Sequence, residues 1–111
     1  MAQYIDLRAE PSGAANYNLS LRIRNTDQKS LLANWKLTFP NGVAEPEGRK
    51  LQLGEDVVPS GKAVEVGKWQ VKVSSPDVIY SQKIQVIAHI AISTHQFTET
   101  FEGTIEEIRD L

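Results

Sequence analysis

Residues 17–42 read YNLSLRIRNTDQKSLLANWKLTFPNG. In the first part Tyr17, Leu19, Leu21 and Ile23 alternate with Asn18, Ser20, Arg22 and Arg24; in the second, Ala33, Trp35, Leu37 and Phe39 alternate with Asn34, Lys36 and Thr38. Successive side chains of a strand point to opposite faces, so a period of two writes two strands, each with one face in a core and one in water. Asn25, Thr26 and Asp27 close the first strand with polar side chains that bond their own backbone, and Pro40, Asn41 and Gly42 stop the second.

The pattern extends in both directions. A first strand over residues 3–9 puts Ile5 and Leu7 on one face and Tyr4 on the other, and Pro11, Ser12 and Gly13 break it. After a proline- and glycine-containing loop at residues 45–48, Leu51 and Leu53 alternate with Gln52 in a strand that begins near Arg49. Pro59, Ser60, Gly61 and Lys62 form a turn. Beyond it Val64 and Val66 hold even positions, whereas Trp69, Val71 and Val73 hold odd ones, so the phase slips at Gly67 and Lys68. A two-residue hairpin or a β-bulge produces such a slip; the arm before it is short for a hairpin, which favours the bulge, and both place Trp69 on the core side.

Ser74, Ser75, Pro76 and Asp77 make the next turn. From Tyr80 to Thr94 the residues Ile84, Val86, Ala88, Ile90 and Ile92 share one face, and the density of β-branched side chains marks a central strand. Thr94, His95 and Gln96 read as a loop, and residues 97–101 as the returning strand. Thr104 and Glu107 have capping-box spacing ahead of Ile108, so a terminal helical turn competes with a final strand. The expectation is one all-β domain over residues 1–111: an antiparallel β-sandwich of about seven strands, immunoglobulin-like or carbohydrate-module-like. More than half its residues should lie in strands, with Leu21, Ile23, Trp35, Leu37, Val71, Val86, Ile90 and Ile92 in one core.

A chain of 111 residues with 41% hydrophobic and 23% charged content suits a single folded domain, which at this size buries about two thirds of its unfolded surface. It has no cysteine, which excludes disulfides and thiolate metal ligation. The start, MAQYIDLRAE, lacks the apolar run of a signal peptide. The expected localisation is therefore cytoplasmic if the chain is full-length and undetermined if it is a module of a larger protein. No aliphatic run approaches the roughly 20 residues of a membrane-spanning helix, and a formal charge of −2 gives no global reason to expect nucleic acid or anionic lipid. Charge concentrates at residues 97–111, where Glu99, Glu102, Glu106, Glu107 and Asp110 face one base, Arg109. A solvated tail is the reading, with a basic partner as the alternative.

Chemistry has little material here. His89 and His95 are the histidines that could activate a serine or threonine, and neither stands in a catalytic motif. A metal site from His89, His95 and Glu99 would need a turn between the histidines, because six extended residues separate them by about 20 Å. No phosphate loop or dinucleotide fingerprint is present. The expectation is a non-enzymatic chain without cofactor or metal. The outward residues Arg22, Arg24, Asn34 and Lys36 would form a basic ligand patch if their strands are neighbours. Sugar recognition needs exposed rings; Trp35 and Trp69 share phase with aliphatic neighbours, and Tyr4 and Tyr80 are the better placed for exposure.

The run IRNTDQKSLLANWKLTFPNG, residues 23–42, resembles the early strands of bacterial cellulose- and chitin-binding β-sandwich modules through Asn25, Thr26, Trp35, Phe39, Pro40 and Gly42. The resemblance implies a sandwich with Trp35 as a structural core residue. Such modules bind through a planar row of exposed aromatics and often carry paired cysteines, and this sequence shows neither. The functional expectation is a non-catalytic binding module with a polysaccharide or glycan as ligand, through Tyr4, Trp69, Tyr80, Arg22, Arg24 and Lys36. The alternative is a structural or protein-interaction domain, self-associating through an edge strand or an apolar face. Clustering of Tyr4, Trp69 and Tyr80 in solvent favours sugars; their burial beside an uncovered apolar patch favours a protein partner.

Overall fold

A computed structural model describes residues 3–45 and 48–109; Pro46 and Glu47 of the expected loop and Asp110 of the acidic tail lie outside the described residues. The elements are β1 (Ile5–Pro11), β2 (Asn16–Arg24), β3 (Leu31–Thr38), β4 (Val43–Ala44), β5 (Leu51–Val58), β6 (Ala63–Val73), α1 (Val78–Ser81), β7 (Lys83–Ile92), β8 (His95–Thr104) and α2 (Ile105–Arg109). Strands hold 62% of the described residues and helices 9%. Two four-stranded sheets form, β1-β2-β6-β4 and β5-β3-β7-β8, and every strand pair is antiparallel. The expected sandwich is present, with the two-residue β4 as an additional strand.

Alternation places the core between the sheets. Leu19, Leu21 and Ile23 from β2 meet Leu31, Ala33, Trp35 and Leu37 from β3 and Val86, Ala88 and Ile90 from β7, all buried; Ile92, at the end of β7, is partly buried against them. Burying each aliphatic side chain contributes about 1.5 to 3 kcal/mol, so the run that reads most clearly in the sequence is also the run that holds the layers together. The crossover from β2 to β3 passes from one sheet to the other, and Asn25 pins it. Its Nδ2 donates to the carbonyls of Lys29 at 2.8 Å and Val58 at 2.9 Å, and its Oδ1 accepts from the Asp27 amide at 2.9 Å.

The phase slip is a bulge. β6 runs unbroken, and its register against β2 jumps from Leu21↔Gly67 to Arg22↔Glu65, leaving Val66 as the inserted residue. Three expectations need correction. Tyr80 lies on the one-turn helix α1 and not on the central strand, which begins at Lys83. His95 starts β8, because Ser93 and Thr94 alone make the hairpin turn, with Ser93 at φ 55°. Proline 11 ends β1 from within the strand. At the C-terminal end the capping box forms: the Glu107 amide donates to Thr104 Oγ1 and the Thr104 amide to Glu107 Oε1, both at 3.2 Å, and α2 follows. Helices α1 and α2 pack on each other and on β8, and α2 also on β1. Among the described residues no helix is long and apolar enough to cross a membrane.

Candidate interaction surface

Strand β5 inverts the usual amphipathy of an edge strand. Its even residues Gln52, Gly54, Asp56 and Val58 face inward, and its odd residues Leu51, Leu53, Glu55 and Val57 face out. The cause is Trp35 on β3. A Cβ on Gly54 would sit 2.6 Å from Trp35 Nε1 and closer still to its Cε2 and Cζ2, so the indole occupies the space that a β5 side chain would fill. Asp56 Oδ2 accepts the indole N–H at 2.9 Å. Trp35 in turn meets Trp69 edge-on, with ring centroids 5.8 Å apart, and Trp69 meets Phe39 at 6.1 Å. The inner side of β5 at Gly54 and Asp56 is thus taken by one ring and its acceptor; Val58 is buried, and the other apolar side chains point to water: Leu51 is 47% exposed, Leu53 68% and Val57 63%.

Register carries that apolar character across the outer face. Leu53 shares its rung with Lys36 and Ile87, and Val57 shares its rung with Leu32 and Ala91. Between them lies the rung of Glu55, Asn34 and His89. An open depression lies over Leu53, Gly54 and Ile87, rimmed by Lys36, Glu55 and His89. His89 Nδ1 is 2.9 Å from Thr98 Oγ1 on the neighbouring strand.

The far edge of β5 has no partner strand among the described residues. The Phe39 amide donates to the Lys50 carbonyl at 2.8 Å, and antiparallel residues alternate between hydrogen-bonded and non-bonded pairs. Even residues of β5 therefore turn their N–H and C=O toward β3, and Leu51, Leu53, Glu55 and Val57 turn theirs outward. The other edges are protected. Strand β6 carries the bulge, with β4 beside Lys72 and Val73. Strand β1 ends in Pro11, bears the Arg8–Asp6 ion pair at 3.1 Å and is covered by α2. Strand β8 carries Glu99 and Glu102, and Glu99 Oε1 accepts the amides of Tyr4 and Ile5, each at 2.9 Å, closing that side of the sandwich.

The residues expected to bind ligand do not converge. Tyr4 is buried, at 7% exposure, which corrects the expectation of an exposed ring. The chain entering β1 crosses the seam to β8, where the Tyr4 ring lies 5.2 Å from Phe97 and its hydroxyl donates to Asp27 Oδ2 at 2.8 Å. Burial first, then the bond and the charges of Asp27 and Glu99, push its phenol above the ordinary value. Trp69 is half-buried on the core side, and Tyr80 is 59% exposed on α1. The basic patch is also corrected: β2 and β3 lie in different sheets, so Arg22 and Arg24 face one side of the molecule and Asn34 and Lys36 the other. Arg22 shares its rung with Asp6 and Glu65, which offsets its charge. His89 and His95 stand opposite Thr98 and Ile92, three rungs or about 10 Å apart. Among the described residues no three His, Asp or Glu side chains group as metal ligands do.

What the residue pattern missed is Leu51, Leu53 and Val57. The available signal was Gly54 and Asp56 on the opposite face, a pair that a core-facing side rarely carries. The fold and this surface define a small two-sheet β-sandwich domain whose β5 edge is open and apolar among the described residues. No protein-family model and no curated relative matches the chain. Among solved structures it is similar to the GAE domain of GGA2p from Saccharomyces cerevisiae, at TM-score 0.57 and 12% identity over 90% of this chain and 84% of that one. It is also similar to the E. coli curli protein CsgC, at 0.56 and 12% over 91% and 98%. A third similar structure is R. palustris CsgH, at 0.52 and 18% over 97% and 96%. These likenesses show the fold.

Proposed function

We propose that the chain is a non-catalytic protein-interaction domain that docks an extended polypeptide segment along β5. The observation that carries this reading is the pair Leu53 and Val57, 68% and 63% exposed on an edge strand in unbroken register with β3, whose outward N–H and C=O groups have no strand partner among the described residues. An added strand would take main-chain hydrogen bonds from the odd residues, and its alternate side chains would cover Leu53 and Val57. Natural proteins blunt such edges with charge, proline or bulges; β5 has no proline and no bulge, and its one outward charge, Glu55, stands between the exposed Leu53 and Val57.

The glycan reading has less support. Of Tyr4, Trp69 and Tyr80 only Tyr80 is well exposed, and one ring supplies no planar row. The test is selection from a random displayed peptide library beside a glycan array. Because one similar fold is that of a curli protein, a curli polypeptide belongs in the peptide panel. Selected peptides should alternate apolar residues, shift the amide resonances of β5 and lose binding in Leu53→Lys. Glycan binding that is lost in Tyr80→Ala, with no peptide selected, would overturn the docking reading.

A further inference from the structure

We infer that a second copy of this chain occupies the β5 edge, pairing β5 with β5 antiparallel across a two-fold axis to make one continuous sheet. This inference rests on the docking reading above and names its partner. The strand is self-complementary about Gly54. For a continuous sheet, facing residues must share a face, so the residue numbers of each pair sum to an even value. Centring the axis on Gly54 sets Leu51 against the partner's Val57, Leu53 against the partner's Glu55 and Gly54 against the partner's Gly54. The outward-turned odd residues then become the bonded pairs, and their four N–H and four C=O groups per copy make about eight hydrogen bonds. A shift by one residue about the axis, centring on Glu55, would set two glutamates face to face, which is destabilising.

Two further observations fit this register. Gln52 Nε2 is buried without a hydrogen-bond partner among the described residues, and the Gly54-centred pairing puts the partner's Asp56 on the rung of Gln52. Asp56 uses Oδ2 for the Trp35 indole, so its other oxygen can accept. Lys50 stands just before the strand, and Glu55 and Asp56 lie toward its end. Antiparallel pairing about Gly54 sets Lys50 opposite the partner's Val58 and diagonal to the partner's Asp56, whereas parallel pairing would align like charges. The product is an eight-stranded sheet with Leu51, Leu53 and Val57 of both copies on one face.

The test combines mass with amide exchange. Light scattering across a concentration series should rise from monomer to dimer mass, and the Leu51, Leu53, Glu55 and Val57 amides should gain at least tenfold protection over the same range. Leu53→Glu replaces a solvent-facing side chain and sets a carboxylate opposite the partner's Glu55 in both halves of the pairing, so it should leave the circular-dichroism spectrum unchanged while holding the chain monomeric. A monomer at every concentration, or a dimer in which the odd β5 amides exchange as in the monomer, overturns the inference. A monomer that still selects strand-forming peptides at β5 leaves the docking reading intact; one that selects none fails both.

Discussion

Replacing Gly54 by alanine adds one methyl group, and the structure assigns it a large cost. The new carbon would stand 2.6 Å from Trp35 Nε1 and nearer still to two ring carbons, against an ordinary contact of about 3.5 to 4.0 Å. The indole must retreat by about 1 Å. It cannot do so freely, because Nε1 is held by Asp56 at 2.9 Å and the ring meets Trp69 edge-on at 5.8 Å. Overpacking of this kind costs about 1 to 3 kcal/mol, and losing a hydrogen bond to a charged acceptor about 1.5 to 3 kcal/mol. Removing glycine from a strand returns about 0.5 to 1 kcal/mol. The net expectation is a loss of about 2 to 5 kcal/mol, or about 4 °C in Tm for each kcal/mol at this size. Urea unfolding followed by tryptophan fluorescence measures it, with Trp35→Leu as the second arm of a double-mutant cycle. In that background Gly54→Ala should cost less than about 1 kcal/mol. A near-neutral Gly54→Ala, or an equal cost in both backgrounds, would refute the idea that the indole displaces the β5 side chains.

Glu99→Ala should destabilise by about 2 to 4 kcal/mol, because its carboxylate alone receives the Tyr4 and Ile5 amides across the β1–β8 seam; urea midpoints measure the loss, and exchange at those two amides should quicken. The folded state favours the neutral Tyr4 phenol, its value raised first by burial and then by Asp27. That stability is complete below the ordinary tyrosine value of about 10 and is lost as pH rises through the folded value. Alkaline urea titrations should show the loss in the native chain and not in Tyr4→Phe. Glu107 is held below the ordinary glutamate value, first by the Thr104 backbone bond and then by its side-chain bond. Its support of α2 is present above the unfolded value and is lost as pH falls through the folded one. The Thr104 amide shift should track that titration; Glu107→Gln should abolish the dependence, and Thr104→Ala, which keeps the backbone donor, should only weaken it at a cost of about 1 kcal/mol.

Local periodicity carried much of the fold in the chain's own order. Leu19, Leu21 and Ile23, then Ala33, Trp35 and Leu37, announce which side of each strand is buried, because alternation is a property of the strand alone. It is silent on which strands adjoin. For that reason a patch of Arg22 and Lys36 rested on their strands being neighbours, and the crossover at Asn25 changes sheets. Tyr4 was misread for a related reason: it stands just before β1, and its burial comes from Asp27, Phe97 and Glu99, which are remote in sequence. The Ser93–Thr94 hairpin has no Asn-Gly or Asp-Gly to mark it, so His95 read as loop. On β5 alternation groups Leu51 with Leu53 without saying which face is buried; Trp35, occupying the other side, decides it. The bulge near Gly67 and the capping box at Thr104 were legible because each depends on spacing within a few residues.

Residue-resolved amide hydrogen exchange in dilute solution, where the chain is monomeric, tests the central claim that β5 presents an open edge. Leu51, Leu53, Glu55 and Val57 should exchange fast, and Gln52, Gly54, Asp56 and Val58, whose amides turn toward β3, should exchange slowly. Uniform protection along β5, or alternation in the opposite phase, would contradict the open edge and the docking built on it.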